Sequence, residues 1–517
     1  MGDSVFTFAD EEERDVCALL SDPATHGVDS VDIVETHIAR VFLAGDDAYK
    51  LRKRVRLPFV DFSTFEARHA AAEREMELNG PHAPNLYLGL VPVVRVDGRL
   101  QLGGDGEVVE WAVHMRRFPQ EAVLSHREER GCLHEDLAKA LADMVARYHQ
   151  DSPIAQSCEG AEIMAPVVDQ LTTALSHDYP DAAAAIRAAF ERVGAQLTER
   201  GNAGCVRRCH GDLHLGNIVL IDGKPIPFDA LEFSEALGTI DVLYDLAFLL
   251  MDLDARGDRT SANAVFNAYL AFEPIGGEIE GLACLPLFLA CRAGVRAVVA
   301  MARNEQLPDD EQAAVRADIV RYASLAGAYL APPAPLMVAI GGLSGTGKST
   351  LAAMLASHIG SAPGALHIRS DVERKRLFGV PETQRLDRQH YRVGTAQRVY
   401  SIVEDKARRA LSAGHAVIVD AVFAKEEERE TVELIAREAG CDFLGLWLTA
   451  PSATLVSRVE HRQGDASDAD RRVVREQLSY DLGHMDWVEV DASGTPQDSL
   501  AAVRRSLQAA GIALVDG

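Results

Sequence analysis

The sequence predicts two domains of different class, an α+β bilobal domain followed by an α/β domain built on a parallel sheet. Three observations carry this expectation. Strand-like segments near the start give way to a stretch, Leu133 to Leu330, that is mainly helical. The run APPAP, Ala331–Pro335, then holds three prolines, which cannot continue a helix and favour an extended spacer. Beyond it, apolar strands alternate with amphipathic helices, the pattern of a parallel sheet wrapped by helices. The expected division is a first domain over 1–330, with a small lobe at about 30–118 and a larger helical lobe at about 119–330, a linker at 331–335, and a second domain over 336–517. A chain of 517 residues also exceeds the roughly 100 to 200 that one domain usually holds.

Taken in order, Thr36–Ala44 and Ala48–Val55 alternate with period two across the turn Gly45-Asp46-Asp47, as paired strands do. Ser63 and Glu66 form an S-x-x-E capping box that opens an Ala- and Glu-rich helix ending at Asn79. Strands return at Leu86–Val96 and Val108–Phe118, and the helical stretch that follows is interrupted by Val206–Phe233. After the linker the strands are Met337–Gly341, Ala365–Ile368, Ala416–Val419, Phe443–Leu448 and Trp487–Val490. A ligand of such a sheet binds at the strand C-terminal ends.

Composition narrows the class. With 47% hydrophobic and 25% charged residues and no uninterrupted apolar run of about 18 residues, the chain reads as soluble. Its acidic opening, Met1–Asp15, lacks a basic region followed by an apolar stretch, so a cytoplasmic location without membrane contact is expected. The formal charge of −26 is uneven: from Leu336 onward 22 basic residues face 25 acidic ones, leaving 30 against 53 before it. This acidity disfavours nonspecific binding to nucleic acid. Eight scattered cysteines fit reduced thiols. Cys205, Cys209, His210 and His214 lie close together, but no second CxxC pair accompanies them, which argues against zinc. Nothing in the sequence specifies an oligomeric state.

Gly342–Ser349 reads GLSGTGKS, a G-x-x-x-x-G-K-[ST] match between an apolar strand and the expected helix Ser349–His358. Its glycines turn backbone amides toward phosphates, so Gly342, Ser344, Gly345, Thr346, Gly347, Lys348, Ser349 and Thr350 form a candidate ATP phosphate cradle. Lys348 would reach the β/γ-phosphates and Ser349 would offer its hydroxyl to Mg²⁺. Asp371 and Arg374 make D-x-x-R after the second strand, a carboxylate to take a hydroxyl proton beside a guanidinium for an anionic group. The rival reading is a helix cap, because Ser370 and Glu373 also satisfy S-x-x-E. Asp420 ends the strand AVIV and could hold the Mg²⁺ shell. Arg458 and Arg462, one helical turn apart, either close over the transferring phosphate or are solvated helix charges.

In the first domain, HGDLHLGN at 210–217 and Asp229 in PIPFDALEF have the H-x-D-x-x-x-x-N spacing of a kinase catalytic loop followed by a metal-binding aspartate. Asp212 would orient or deprotonate an acceptor hydroxyl, Asn217 and Asp229 would hold Mg²⁺ through oxygen, and His210 would support the loop.

The set GLSGTGKS, SDVER, VIVDAVF and SRVEHRQGDASDADRR resembles the small P-loop kinases, among them gluconate kinase, chloramphenicol phosphotransferase, polynucleotide 5′-kinase and zeta-toxin-like enzymes, over most of 336–517. That resemblance implies a P-loop NTPase fold and makes Asp371 the base. The octapeptide with Asp229 resembles the aminoglycoside phosphotransferase and choline kinase superfamily over roughly 30–330, which implies a protein-kinase-like fold. It further implies that an Asp in DVLYDLAFLL, Asp241 or Asp245, buttresses the loop, and that Lys50 in AYKLRK binds phosphate, paired with Glu75; Lys53 is the rival lysine. No glycine-rich loop precedes Lys50, only THIARVFLAGD, which favours a small-molecule acceptor over a protein. An aminoglycoside is one such acceptor; Arg292 and Arg296 would suit an anionic one, or are helix-surface charges. The order of halves resembles bacterial fusions of aminoglycoside phosphotransferase-family and AAA-family ATP-binding proteins, a label for folds and not for substrates. The leading expectation is a bifunctional kinase using ATP and Mg²⁺ on hydroxyls of small molecules. The alternatives are one active kinase with a regulatory ATP-binding domain, or a polynucleotide 5′-kinase-like C-terminal domain, which would show salt-dependent oligonucleotide binding.

Overall fold

The computed structural model describes residues 8–57, 60–126, 133–156, 160–305, 307–308, 311–462, 464–509, 511 and 514. The first seven residues of the acidic opening and the last three of the expected second domain lie outside them. The chain forms two compact units, one of residues 1–130, 147–156 and 206–245, the other of residues 131–146, 157–205 and 246–517.

The first unit is built on a six-stranded antiparallel sheet in the order Val31–Glu35, Ala39–Ala44, Asp47–Arg52, Glu107–Arg116, Tyr87–Val96, Arg99–Leu102. Strand alternation divides it into two faces. Ala48, Val113 and Met115 pack with Ala72 and Leu86 on one side, while Phe42, Leu51 and Val93 pack with Val16 and Leu20 on the other. Lys50 and Arg52 therefore share the parity of Ala48, the face that meets the helix Phe65–Asn79. Two expectations need correction. The strand expected from Thr36 begins at Ala39, because the Thr36 amide turns back to the Ala39 carbonyl and a further strand precedes it. The helix is capped by Thr64, whose hydroxyl accepts from the Ala67 amide at 3.2 Å, and not by Ser63, which is drawn to the nearer carboxylate of Asp61 at 2.5 Å.

The second unit contains the helices Gly160–Leu175, Pro180–Asn202, Arg259–Phe272, Leu285–Asn304 and Gln312–Tyr329, followed by a five-stranded sheet. All its pairings are parallel, in the order Leu366–Arg369, Val417–Asp420, Leu336–Gly342, Asp442–Thr449, Val488–Asp491. Val338, Ile340, Ile418 and Leu446 form its core with Leu351 and Leu355 from the helix Lys348–Ala356. This is the expected P-loop arrangement, with Gly342, Arg369 and Asp420 at neighbouring strand C-terminal ends. Among the described residues one helix, Leu285–Asn304, is long and apolar enough to cross a membrane, but 56% of its apolar window is buried inside the protein.

Candidate active sites

In the first unit, Lys50 is delivered by its strand to two carboxylates. Its Nζ lies 2.8 Å from Glu75 Oε1 and 2.5 Å from Asp229 Oδ1. Arg52, two residues on, pairs with the other oxygen of Glu75 and with Glu232. Burial alone would lower the Lys50 pKa, but Asp229 and Glu75 outweigh it and hold the ammonium above its ordinary value. Burial acts to raise the Asp229 pKa; Lys50, by charge and hydrogen bond, with Arg52, holds it below the usual carboxylate range. Glu232 is raised, burial outweighing Arg52. Asp229 itself sits at φ 60°, a left-handed conformation that costs energy for any residue but glycine. Its amide donates to the Tyr87 hydroxyl at 3.0 Å, and the next amide, of Ala230, donates to Asn79 Oδ1 at 2.9 Å.

Asp212 and Asn217 face one another across the loop. Asn217 Nδ2 donates to both the main-chain and the side-chain oxygen of Asp212 at 2.9 Å, so the group Asn217 can offer a cation is its carbonyl oxygen. His210 supports the loop from inside: Nδ1 accepts from the Asp212 amide at 3.3 Å and Nε2 donates to the Phe228 carbonyl at 3.0 Å. Burial lowers its pKa, so the ring is neutral in the tautomer these contacts require. Of the two aspartates considered as buttress, Asp245 lies on the loop. It accepts from the Gly211 amide at 2.9 Å and from the His210 amide and His149 Nε2, each at 3.2 Å, while Asp241 accepts from Leu243 within its own turn. His149, Cys209 and Asp245 lie close enough to share an ion, but Asp245 is already engaged by the loop. His214, from the cysteine-histidine cluster, accepts from the Gly216 amide at 3.0 Å.

In the second unit, Gly342, Gly345 and Gly347 take φ of 142°, 89° and 91°, and a Cβ on Gly345 would come within 2.7 Å of the Leu455 carbonyl. Only glycine permits this loop. Ser344 and Thr346 are buried, Ser349 partly buried and Thr350 exposed. The helix runs Lys348–Ala356, opening one residue before the expected start. Lys348 Nζ donates to the Leu343 carbonyl at 3.2 Å; burial lowers its pKa against the pull of Asp420 and Asp371. Burial raises the pKa of Asp371, opposed by a hydrogen bond from Ser467 and by Arg374. Burial would raise Asp420 as well, but His367, Lys348 and Arg369 bring it down to about 2.

Two expectations change here. Ser370 lies inside the helix Ser370–Leu377 and caps nothing, and Glu373 is taken by Lys406 at 2.9 Å, so the S-x-x-E match is not a capping box. Arg374 donates to the His390 carbonyl at 3.3 Å and stacks over Tyr391, its Nε buried without a partner. Arg458 and Arg462 do not share a helix face: the helix ends at His461, and Arg462 is extended beyond it. Arg458 braces the fold through the Ala492 and Gly494 carbonyls, both at 2.8 Å. Arg462 turns toward Asp465, 3.8 Å away. Lys53 pairs with Glu35, Arg292 is buried over Phe248 and Arg296 lies over Tyr322, so these arginines are not plain surface charges.

Sequence reasoning missed several residues that the fold adds. Arg52 and Glu232 were signalled only by spacing, two residues from Lys50 and three from Asp229. His367 Nε2 lies 3.4 Å from Asp420, Arg369 pairs with Asp465 at 3.1 Å, and Gln477 accepts the Ser344 amide at 2.8 Å. The acidic run GDASDAD was the one visible trace of the Asp465–Asp468 loop.

Residues 37–282 match the phosphotransferase enzyme family, APH, and residues 337–480 match an AAA domain, AAA_33. Along 490 residues the chain is 31% identical to uncharacterised proteins of Mycobacterium tuberculosis and Mycobacterium bovis, covering 91% of this chain and 94% of each relative. The chain belongs to their family. This chain joins a phosphotransferase-family domain to a P-loop domain of the kinase type, and it is a phosphotransferase enzyme by its domains. Solved structures similar to parts of this chain include a putative kinase from Chloroflexus aurantiacus, at 19% identity over 34% of this chain and 98% of that one, with a TM-score of 0.27. A choline/ethanolamine kinase family protein from Mesorhizobium loti is 15% identical over 61% and 99%, with a TM-score of 0.34.

Proposed function

We propose that the chain is an ATP- and Mg²⁺-dependent kinase with two phosphoryl-transfer sites, divided near the 331–335 linker, each acting on a hydroxyl of a small molecule. The observation that carries this reading is the convergence, in each unit, of one partly buried lysine with carboxylates from separate elements: Lys50 with Glu75 and Asp229, and Lys348 near Asp371 and Asp420. In the first site Lys50 holds phosphate oxygens and Glu75 fixes it. Asp212 takes the proton of the acceptor hydroxyl as the new O–P bond forms and the bond from the γ-phosphorus to the bridging oxygen breaks, leaving ADP. In the second, the amides of 342–350 and Lys348 hold the phosphates, Asp371 receives the proton, and Arg374, with an unpartnered buried Nε, suits an anionic group on the acceptor. Arg462 lies near enough to lower the Lys348 pKa and is the arginine suited to the transferring phosphate, whereas Arg458 is spent on the carbonyls of Ala492, Gly494, Gly345 and Thr346.

Mg²⁺ fits the donors available. Asn217 and Asp229 at one site and Ser349 and Asp420 at the other offer hard oxygen atoms, and both aspartates are ionised at neutral pH. When bound, the ion neutralises charge on the phosphates.

The test is ATP consumption with ³¹P detection of products, for wild type, Asp212→Ala, Asp371→Ala and Lys348→Ala against a pool of cell metabolites. Loss of different products in the Asp212 and Asp371 variants is expected. Loss through one aspartate alone would leave a single kinase with a nucleotide-binding regulator. No product at all, with both sites binding Mg-ATP, would overturn the kinase reading. Salt-dependent phosphorylation of oligonucleotide 5′ ends would replace the small-molecule acceptor at the second site.

A further inference from the structure

The helix Arg259–Phe272 precedes the linker and lies within the stretch matched by the phosphotransferase family, yet its Arg259, Asn263 and Asn267 side chains bond to the P-loop fold of the same compact unit. Arg259 donates to the Ser357 carbonyl at 2.7 Å and the Gly360 carbonyl at 2.9 Å, just past the C-terminal end of the helix that follows the P-loop. A cation there is favourable, since that end carries unsatisfied carbonyls and the negative pole of the helix. At the other end Glu273 reaches Lys406 at 2.7 Å and Arg376 at 3.6 Å, and Arg376 belongs to the helix that carries Asp371.

Between these anchors lies the strand Leu366–Arg369, the sheet's outermost strand. An edge strand presents unpaired amides and carbonyls. Asn267 takes the place of a neighbouring strand: its Oδ1 accepts from the His367 amide at 2.7 Å, and its Nδ2 donates to the Ala365 carbonyl at 3.2 Å. Asn263, buried, donates to the same carbonyl at 3.1 Å. His367, so held at its backbone, aims its side-chain Nε2 at Asp420 Oδ2, 3.4 Å away.

We propose that the helix Arg259–Phe272 is a working part of the C-terminal site, with Asn267 and His367 as its positioning residues: Asn267 fixes the edge strand, and His367 on that strand fixes the Asp420 carboxylate. This rests on the reading of Asp420 as a Mg²⁺ ligand. Groups that orient a metal-binding carboxylate typically matter 10- to 100-fold in metal affinity or activity.

The experiment uses the full chain carrying Lys50→Ala and Asp212→Ala, which silence the N-terminal site. A fluorescent ADP analogue is titrated with and without Mg²⁺, alongside ATP turnover and melting curves, for His367→Phe, His367→Gln, Asn267→Leu and Asp420→Ala. The expected result is nucleotide affinity unchanged in EDTA but a Mg²⁺ requirement raised roughly 10-fold or more in His367→Phe and Asn267→Leu. His367→Gln, which keeps a donor toward Asp420, recovers most of it. Unchanged Mg²⁺ dependence in folded His367→Phe and Asn267→Leu overturns the proposal. So does equal loss of affinity with and without Mg²⁺ that glutamine does not rescue, because that marks a purely structural role. If Asp420→Ala also leaves the Mg²⁺ dependence intact, the reading of the site itself fails and this proposal fails with it.

Discussion

Replacing Asp245 with Asn tests whether the catalytic-loop geometry depends on one buried carboxylate. The side chain is fully buried, and the donors it receives include the Gly211 amide on one oxygen, and the His210 amide and His149 on the other. Asparagine keeps one oxygen. Placed toward His210 and His149, it turns its own NH₂ against the Gly211 N–H and orphans that donor, at about 1–3 kcal/mol. The two surviving bonds change from charge-assisted to neutral, about 1 kcal/mol each. The total, about 3–5 kcal/mol, corresponds to a fall of roughly 10 °C in the transition that melts the first unit, at about 2–4 °C per kcal/mol. Differential scanning calorimetry reads it, and Asp245→Ala, which unpairs these donors, falls further. Asp212-dependent product should drop at least about 100-fold while Lys348-dependent turnover continues. A shift under about 2 °C with Asp212-dependent turnover retained would refute the assignment of Asp245 as the loop's anchor.

Lys50→Met leaves Glu75, Asp229 and Glu232 facing Arg52 alone; the first unit should melt lower, and Asp212-dependent transfer should fall at least about 100-fold in a coupled ADP assay. Asp371→Asn should abolish C-terminal transfer yet stabilise the protein at neutral pH. Its folded pKa is raised above 3.8, so the folded state binds the proton more tightly, stability falls as pH rises through the two values, and the gain from Asn vanishes below the unfolded value. Asp420→Asn should do the reverse. Its pKa of about 2, against 3.8 unfolded, contributes stability fully present above 3.8 and lost as pH falls toward 2, about 2 kcal/mol at neutral pH. Denaturant titrations in EDTA from pH 2 to pH 7 separate the pair by the sign of their difference from wild type.

What could be read from the sequence is what depends on neighbours in the chain. The P-loop and HGDLHLGN each concentrate their chemistry in eight consecutive residues, where the residue types report the backbone turn and the groups it presents. Lys50 was legible only through the place of AYKLRK in the family resemblance; that it lies on the Ala48 side of the strand, opposite Leu51, is what the structure adds. Arg462 was misread because helical spacing cannot show where a helix stops. Its neighbours Gly464, at φ 67°, and Asp465 belong to a loop that pairs with Arg369, about a hundred residues earlier. The Ser63 box failed for a similar reason on a smaller scale: Asp61, two residues away, is the stronger partner for that hydroxyl. His367 gave no signal, since its role exists only when two parallel strands lie side by side.

The helix Arg259–Phe272 is the sharpest case of chemistry hidden from a linear reading. Its sequence, RTSANAVFNAYLAF, has the apolar spacing of any helix packed on one side, and that spacing does not mark its asparagines as partners of a strand. Burying an amide costs free energy unless its donors and acceptor are met. Asn263 is buried, and both asparagines are met by the Ala365 carbonyl, the His367 amide and each other. An apolar cover would have left the outer amide and carbonyl of an edge strand unpaired, so the asparagines solve a problem that exists only if this helix and this strand are partners in the native state. That commitment makes the segment before the linker structurally answerable to the P-loop fold after it, and it ties the orientation of Asp420 to a side chain that no motif of either domain contains.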